Sequence, residues 1–420
     1  MRETATSNGE TTARGSRGSE ILKGVAMMVI ACLATLALAE AALRIAVPGV
    51  DRHYVLVPGY QRSQTPRPEY IAGVSGVSRY EISAAGVRGS EMSDADDYRI
   101  LAIGGSTTQN TYLDDTETWT LAFADMLNTS PGGFRVWSGD IGRSGHTARS
   151  HLLQLRHVVR ELEDIDAVVM LVGVNDLTVA LRAGEHYERP APLSDPVALA
   201  AQMQEAFLRV PGGLHEQARV RAGANAPPYK GLALYQLLSL SREALARSRS
   251  GTEVDVIGAT VERWRNNRRA TTAFIETLPD LDEPLDEYLD LLNAIVSEAA
   301  LLNVRLIFMT QPTLWSSQNT AAEEDLLWLG GIGDFQGSPG SPYYTSRALF
   351  EAMNAWNDVT LDVCAASEAE CIDIAAAVPR DTTMFYDDVH FTEAGSLRIA
   401  EELSGWFQDR PPFAPPAAER

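Results

Sequence analysis

Lysine is almost absent. Lys23 and Lys230 are the only two, and arginine supplies the rest of 35 positive charges, against 56 from Asp and Glu. We read the lysine deficit as genomic base composition. The resulting formal charge of −21 excludes a nucleic-acid partner, because a phosphate backbone would be repelled. Cysteine is scarce too, with 3 in the chain. Cys32 lies in an apolar run. Cys364 and Cys371 flank the polar run AASEAE; they either close a small disulfide loop outside the cytoplasm or remain two thiols. Neither spacing nor neighbours suggest a metal site. Internal repeats are missing, as is the Gly-x-x-x-x-Gly-Lys phosphate loop. What is present is ordinary for a globular protein: 45% hydrophobic and 22% charged, over 420 residues. That length allows a large core and a second domain.

The N-terminus reads as a targeting segment. Residues 1–20 are polar and expected to be a disordered tail. Gly24 to Ala39 carries no charge, and the apolar character resumes as AALRIAV before Pro48-Gly49 stops it. A helix over 21–47 reaches the roughly 20 residues that span a bilayer, with Lys23 and Arg44 snorkelling and Glu40 near the interface. The competing reading is a cleaved signal peptide, since Ala37-Leu38-Ala39 fits a small-x-small site. An uncleaved anchor is preferred because the helical pattern continues past that site. Both readings carry the rest of the chain out of the cytoplasm.

Residues 48–95, rich in Pro, Gly, Ser and Arg, read as a linker or outer layer. Short apolar runs then alternate with helical periodicity. The strands are YRILAIGG (98–105), FRVWSGD (134–140), DAVVMLVGVND (166–176), VRLIFMTQP (304–312) and ECIDIAAA (370–377). Helices are expected at 117–128, 148–163, 286–303, 347–366 and 393–407. This alternation predicts an α/β domain over 96–410 with a five-stranded parallel sheet between helical layers. A largely helical insertion at about 184–280, including 232–248, interrupts it. Residues 411–420 form a Pro-rich tail. Open parallel sheets bind ligands at the carboxyl ends of their strands, and four polar segments fall there.

Ser106, in GGSTT, is a candidate nucleophile; the alternatives are a Gly/Ser turn or a helix N-cap. Gly145, in DIGRSGHTA, can present a backbone N–H to an oxyanion, or be a plain turn. Beside it, His146 is a weaker base candidate, lacking a nearby carboxylate. Asn175, in GVNDL, offers a neutral amide donor, or caps a turn, with Asp176 bracing it. Asp387 stands three residues before His390 in DDVHFTEAG, placed to fix its tautomer and stabilise an imidazolium; Asp388 is the second choice. Gln311 and Trp315, in TQPTLW, are candidate pocket residues, with loop packing as the alternative. LGGIGDFQGSPGSPYY (329–344) has the composition of a lid.

Together, Ser106, Gly145, Asn175 and Asp387-x-x-His390, in that order over roughly residues 96–408, resemble the SGNH hydrolases, or GDSL-like esterases and lipases. The family's Gly-Asp-Ser reads Gly-Gly-Ser here, with Gly105 replacing the aspartate. The resemblance implies a flavodoxin-like three-layer α/β/α fold. It also implies a Ser106–His390–Asp387 triad and an oxyanion hole from the Ser106 and Gly145 N–H groups and the Asn175 side chain. The implied reaction is two-step acyl transfer, needing neither metal nor organic cofactor. The expected enzyme is a membrane-anchored extracytoplasmic esterase acting on an acyl ester, short-chain or acetyl, of a glycan or small molecule. An O-acyltransferase using a cell-envelope glycan as acceptor, and a catalytically silent envelope scaffold, are the alternatives.

Overall fold

The computed structural model describes residues 11–46, 52–129, 134–162, 164–208, 232, 234–235, 238 and 253–414. The first ten residues of the expected tail, most of the helix expected at 232–248, and 415–420 lie outside the described residues. The chain divides into two compact units: Met1–Asp51 with Pro211–Leu245, and Arg52–Val210 with Ala246–Arg420.

In the first unit a helix runs from Thr11 to Ala46. It starts ten residues before the expected Ile21, because residues 11–20 have the polarity of a loop and hydropathy does not report backbone state. Leu22–Leu43 is long and apolar enough to cross a membrane, and most of its large apolar side chains are exposed. Those 22 residues span about 33 Å at the helical rise, matching a hydrocarbon core of about 30 Å.

Among its described residues the second unit has nine short strands: β1 (Gln61–Gln64), β2 (Ser78–Glu81), β3 (Tyr98–Gly104), β4 (Val136–Asp140), β5 (Ala167–Leu171), β6 (Phe274–Ile275), β7 (Arg305–Met309), β8 (Tyr343–Tyr344) and β9 (Glu370–Ile372). Five of them form one parallel sheet in the order β4-β3-β5-β7-β9. This is the doubly wound, flavodoxin-like arrangement, in which the chain starts inside the sheet and winds out both ways. Residues 167–171 are all buried, which is why this strand reads as a continuous apolar run rather than an alternating one. One helical layer contains Trp119–Asn128 and Glu393–Gln408, with Phe123 and Phe407 stacked at 5.9 Å. The other contains Ala148–Gln154, Asp282–Leu302 and Ser346–Ala366. The α/β/α fold expected from the sequence is the observed one.

Differences concentrate at strand ends. The run 166–176 was expected to be all strand, but β5 stops at Leu171 and a helix begins at Val174. Gly173, at φ +106°, makes that turn. Val174 and Leu177 are buried too, so apolar character continues across the change of structure. Likewise 370–377 divides at Asp373, whose side chain caps the helix Ile374–Ala377. Residues 52–95 carry the antiparallel pair β1–β2. Arg88 of this stretch, wholly buried, donates to the carbonyls of Gln109, Asn110 and Leu113 and to Asp115. A buried guanidinium requires this set of acceptors, and meeting it fixes the segment that follows Ser106. Cys364 and Cys371 are joined as a disulfide.

Candidate active site

Each polar segment singled out above follows a strand of the parallel sheet. Ser106 begins the short helix Ser106–Gln109 after β3, and Gly145 lies in the loop after β4. Asn175 is in the first turn of the helix after β5. Asp387 and His390 occupy the loop before the last helix, which Thr392 caps by accepting from the Gly395 N–H. Parallel strands point their carboxyl ends one way, so residues 284 positions apart in sequence meet.

Ser106 Oγ lies 2.7 Å from His390 Nε2. The other ring nitrogen, Nδ1, is 2.8 Å from Asp387 Oδ2 and 2.9 Å from Oδ1. The backbone N–H groups of Val389 and His390 also donate to Asp387 Oδ1, at 3.0 and 2.9 Å. Burial alone would push this carboxyl up, but the His390 charge and these hydrogen bonds outweigh it and hold Asp387 below the usual carboxylate range. Burial pulls His390 the other way, downward; the Asp387 charge and hydrogen bond win and raise it. Tyr386 stacks on the imidazole, with ring centroids 5.7 Å apart and planes within 8°.

Asn175 Nδ2 donates to the His146 carbonyl at 2.8 Å, which orients the amide toward the site. His146 itself is buried, with Nδ1 2.6 Å from Gln154 Nε2, and burial drives its pKa down to about 3. A neutral, enclosed imidazole serves here as a brace. Asp176 braces similarly: both its oxygens accept from the Ala148 N–H, at 3.0 and 3.2 Å. Gly145 has φ +81° and nothing within 4 Å of where a Cβ would stand, so its backbone is open to the cavity. A Cβ on Gly105 would lie 2.3 Å from Asn175 Nδ2. A side chain at residue 105 would thus press on the end of the Asn175 amide, which must shift to admit it. Gly105→Ala is expected to displace that amide and lower kcat for an activated ester by about 10²–10³, the usual loss of one oxyanion donor, with the fold retained. Steady-state kinetics beside a melting curve checks it; an unchanged kcat would remove Asn175 from the site's chemistry.

Ser106, Gly145, Asn175, Asp387 and His390 line a cavity of about 500 Å³. Its wall includes Tyr112, Trp264, Trp328, Phe335 and Tyr386, and Arg182 is the only cation among the lining residues. Gln311 and Trp315 are not part of that wall. Gln311 sits beneath it: its side-chain oxygen accepts from Thr107 Oγ1, and its backbone pairs with the Asn357 amide. Trp315 is buried, its indole donating to Asp388 at 2.8 Å. Asp388 also accepts from the N–H groups of Trp328 and Leu329. It therefore anchors a loop, while Asp387 alone of the pair faces His390. Sequence reasoning missed Trp264 and Trp328. Trp264 comes from the helix Glu253–Ala270, inside the expected insertion, and no local motif marks either residue. The 329–344 segment is a wall: Arg268 donates to the Leu329 and Tyr344 carbonyls, and β8 pairs with β6.

No curated protein sequence matches this chain significantly. Among solved structures, similarity extends to an α/β hydrolase enzyme from the metagenome of Lake Arreo, Spain, 13% identical, covering 74% of this chain and 96% of that one at a TM-score of 0.37. The acetyl xylan esterase of Geobacillus stearothermophilus is 14% identical, covering 74% and 94% at 0.36. Another acetyl xylan esterase is 12% identical, covering 73% and 98% at 0.37. The family model described as GDSL-like Lipase/Acylhydrolase matches residues 100–403, a span that holds all but the first two residues of the parallel sheet and every residue of the Ser106 cluster. The chain thus belongs to the GDSL-like lipase/acylhydrolase family and is an ester-hydrolysing enzyme.

Proposed function

We propose that the protein is a membrane-anchored serine esterase whose catalytic domain works outside the cytoplasm. The observation that carries this reading is the continuous hydrogen-bond line from Ser106 Oγ through His390 to Asp387. Ser106 attacks the ester carbonyl as His390 Nε2 takes its proton. Asp387 holds the Nδ1–H tautomer and stabilises the imidazolium. The N–H groups of Ser106 and Gly145 and the Asn175 amide receive the oxyanion. His390 then protonates the leaving alcohol, and a water molecule, activated the same way, releases the acyl group.

The catalytic domain in this reading spans 96–410, with 48–95 as an outer layer and an insertion at about 184–280. Its substrate is a short-chain acyl ester, acetyl in particular, of a glycan or small molecule. The aromatic surface of the wall, from Tyr112, Trp264, Trp328 and Phe335, suits an uncharged substrate. Two features support the location. The apolar side chains of Leu22, Met27, Met28, Ile30 and Leu33 are exposed on a helix of bilayer length, where water would not leave them. A Cys364–Cys371 disulfide persists in an oxidising compartment.

The test is labelling of the full chain with a fluorophosphonate, which captures an activated serine covalently. One adduct, on Ser106, is expected. An adduct on another residue, or none on a preparation that turns over ester, rejects the reading.

A further inference from the structure

One wall residue of the cavity touches the triad acid. Trp328 Nε1 donates to Asp387 Oδ2 at 3.1 Å, and both residues are buried, at 8% and 1% exposure. The indole ring also packs on Trp264, with ring centroids 4.6 Å apart and planes tilted by 32°. Both rings line the cavity. The backbone of Trp328 is fixed independently, by its own N–H and that of Leu329 donating to Asp388 at 2.7 and 3.2 Å. Asp388 is held in turn by the Trp315 indole. The indole therefore reaches Asp387 from a rigid mount.

The two oxygens of Asp387 are served unequally. Oδ1 accepts two backbone N–H groups besides sharing the His390 Nδ1 proton. Oδ2 has the same His390 proton and one further donor, the Trp328 indole. A buried carboxylate oxygen that loses its second donor is free to rotate toward another, and the His390 orientation goes with it.

We propose that Trp328 is a positioning residue for the reaction: its N–H sets the Asp387 carboxylate while its ring forms the substrate wall, so the triad acid is aligned by the pocket itself. The proposal rests on the serine-esterase reading above. The groups facing the His390–Asp387 pair are Asp388, Arg265, Tyr386 and Ser106, with Arg268 beyond Asp388. All of them remain in a Trp328→Phe variant. That variant removes one donor, leaves more negative charge on Asp387, and makes His390 hold its proton more tightly.

The experiment compares Trp328→Phe, Trp328→Tyr and Trp264→Phe in the full chain in detergent, with p-nitrophenyl acetate as substrate and pH profiles of kcat/KM. For Trp328→Phe, kcat is expected to fall about ten- to hundredfold, the scale of a lost hydrogen bond to a charged group. KM should change little, and the acid limb should move to higher pH. Trp264 shares the wall but its Nε1 has no hydrogen-bond partner among the described residues. Trp264→Phe should alter KM and leave the limb in place. In an Asp387→Asn background Trp328→Phe should cost nothing further, since its effect passes through that carboxylate. An unmoved limb with kcat intact, or a loss that adds fully to Asp387→Asn, overturns the proposal. If melting shows Trp328→Phe unfolded, Trp328→Leu, which likewise has no side-chain donor, decides on the same criteria, and Trp328→Tyr, whose hydroxyl can donate, should keep more of the rate than either. Inactive Ser106→Ala beside an unaffected Trp328→Phe would sink this proposal and leave the esterase reading standing; active Ser106→Ala would sink the reading itself.

Discussion

Ser106→Ala is expected to reduce turnover of p-nitrophenyl acetate by about 10⁴–10⁶, the largest effect of any single substitution in this chain. The hydroxyl lies 2.7 Å from His390 Nε2 and lines the same cavity as Gly145 and Asn175, the donors of the proposed oxyanion hole. Alanine leaves those donors and the cavity in place, so the residual rate reports what they contribute to attack by water. Ser106 is part-buried at the start of a four-residue helix and its side chain caps nothing, so stability should barely change. The measurement is steady-state hydrolysis by the full chain in detergent beside its variant, with melting curves for both. Equal turnover would mean that the nucleophile lies elsewhere. No turnover by either folded protein would point to an acyltransferase that needs its acceptor, or to a silent envelope protein.

Asp387→Asn should cost about 10⁴ in kcat while leaving substrate binding nearly intact. Asp387 accepts from the Val389 and His390 N–H groups, from His390 Nδ1 and from the Trp328 indole, all donors. An amide in its place must turn an NH₂ toward at least one of them. If it faces the ring, the tautomer reverses and Nε2 carries the proton, so His390 can no longer accept one from Ser106. The pH profile gives an independent sign. In the wild type, Asp387 raises the His390 pKa, so in the proposed mechanism the acid limb of kcat/KM should lie at higher pH than an isolated imidazole would give. Removing the carboxylate charge should move that limb to lower pH, the opposite direction from Trp328→Phe. A limb that stays put in Asp387→Asn would show that this carboxylate does not govern the base.

The neighbouring Asp388 shows why two adjacent aspartates behave differently. It is wholly buried and accepts from Trp315, Trp328 and Leu329, and burial together with the Asp387 charge raises its pKa to about 6. Both side chains are acids in an apolar setting, but Asp387 has the His390 imidazole hydrogen-bonded to it, whereas Asp388 has the Arg268 charge nearby and the Asp387 charge working against it. The sequence ordered the pair by helical geometry alone; the loop that Asp388 holds was invisible to it.

The strand–helix alternation was legible because buried parallel strands carry apolar side chains on both faces, and because glycines end them. The element ends were less legible. At Gly173 and at Asp373 the chain changes from strand to helix without leaving the core, so the apolar signal runs on across the boundary. Gln311 illustrates a related limit. Its position after β7 made it a candidate for the cavity, but strand direction fixes which edge a residue reaches and not which side of that edge. It lies under Ser106's helix, bonded to Thr107 and Asn357.

The sequence by itself determined the family, the sheet, and the four segments that carry Ser106, Gly145, Asn175 and Asp387-His390, because each is a local turn whose residue types are dictated by chemistry within a few positions. Only the tertiary structure decided which surfaces enclose them. Trp328 comes from a loop, Trp264 from a helix between β5 and β6, and Arg265 ties that helix to Tyr70, Leu326 and Tyr386. These contacts join residues up to 195 positions apart in the chain. Side chains at such separations meet through packing and through the demand that buried polar groups be satisfied, and neither leaves a local pattern for sequence to show.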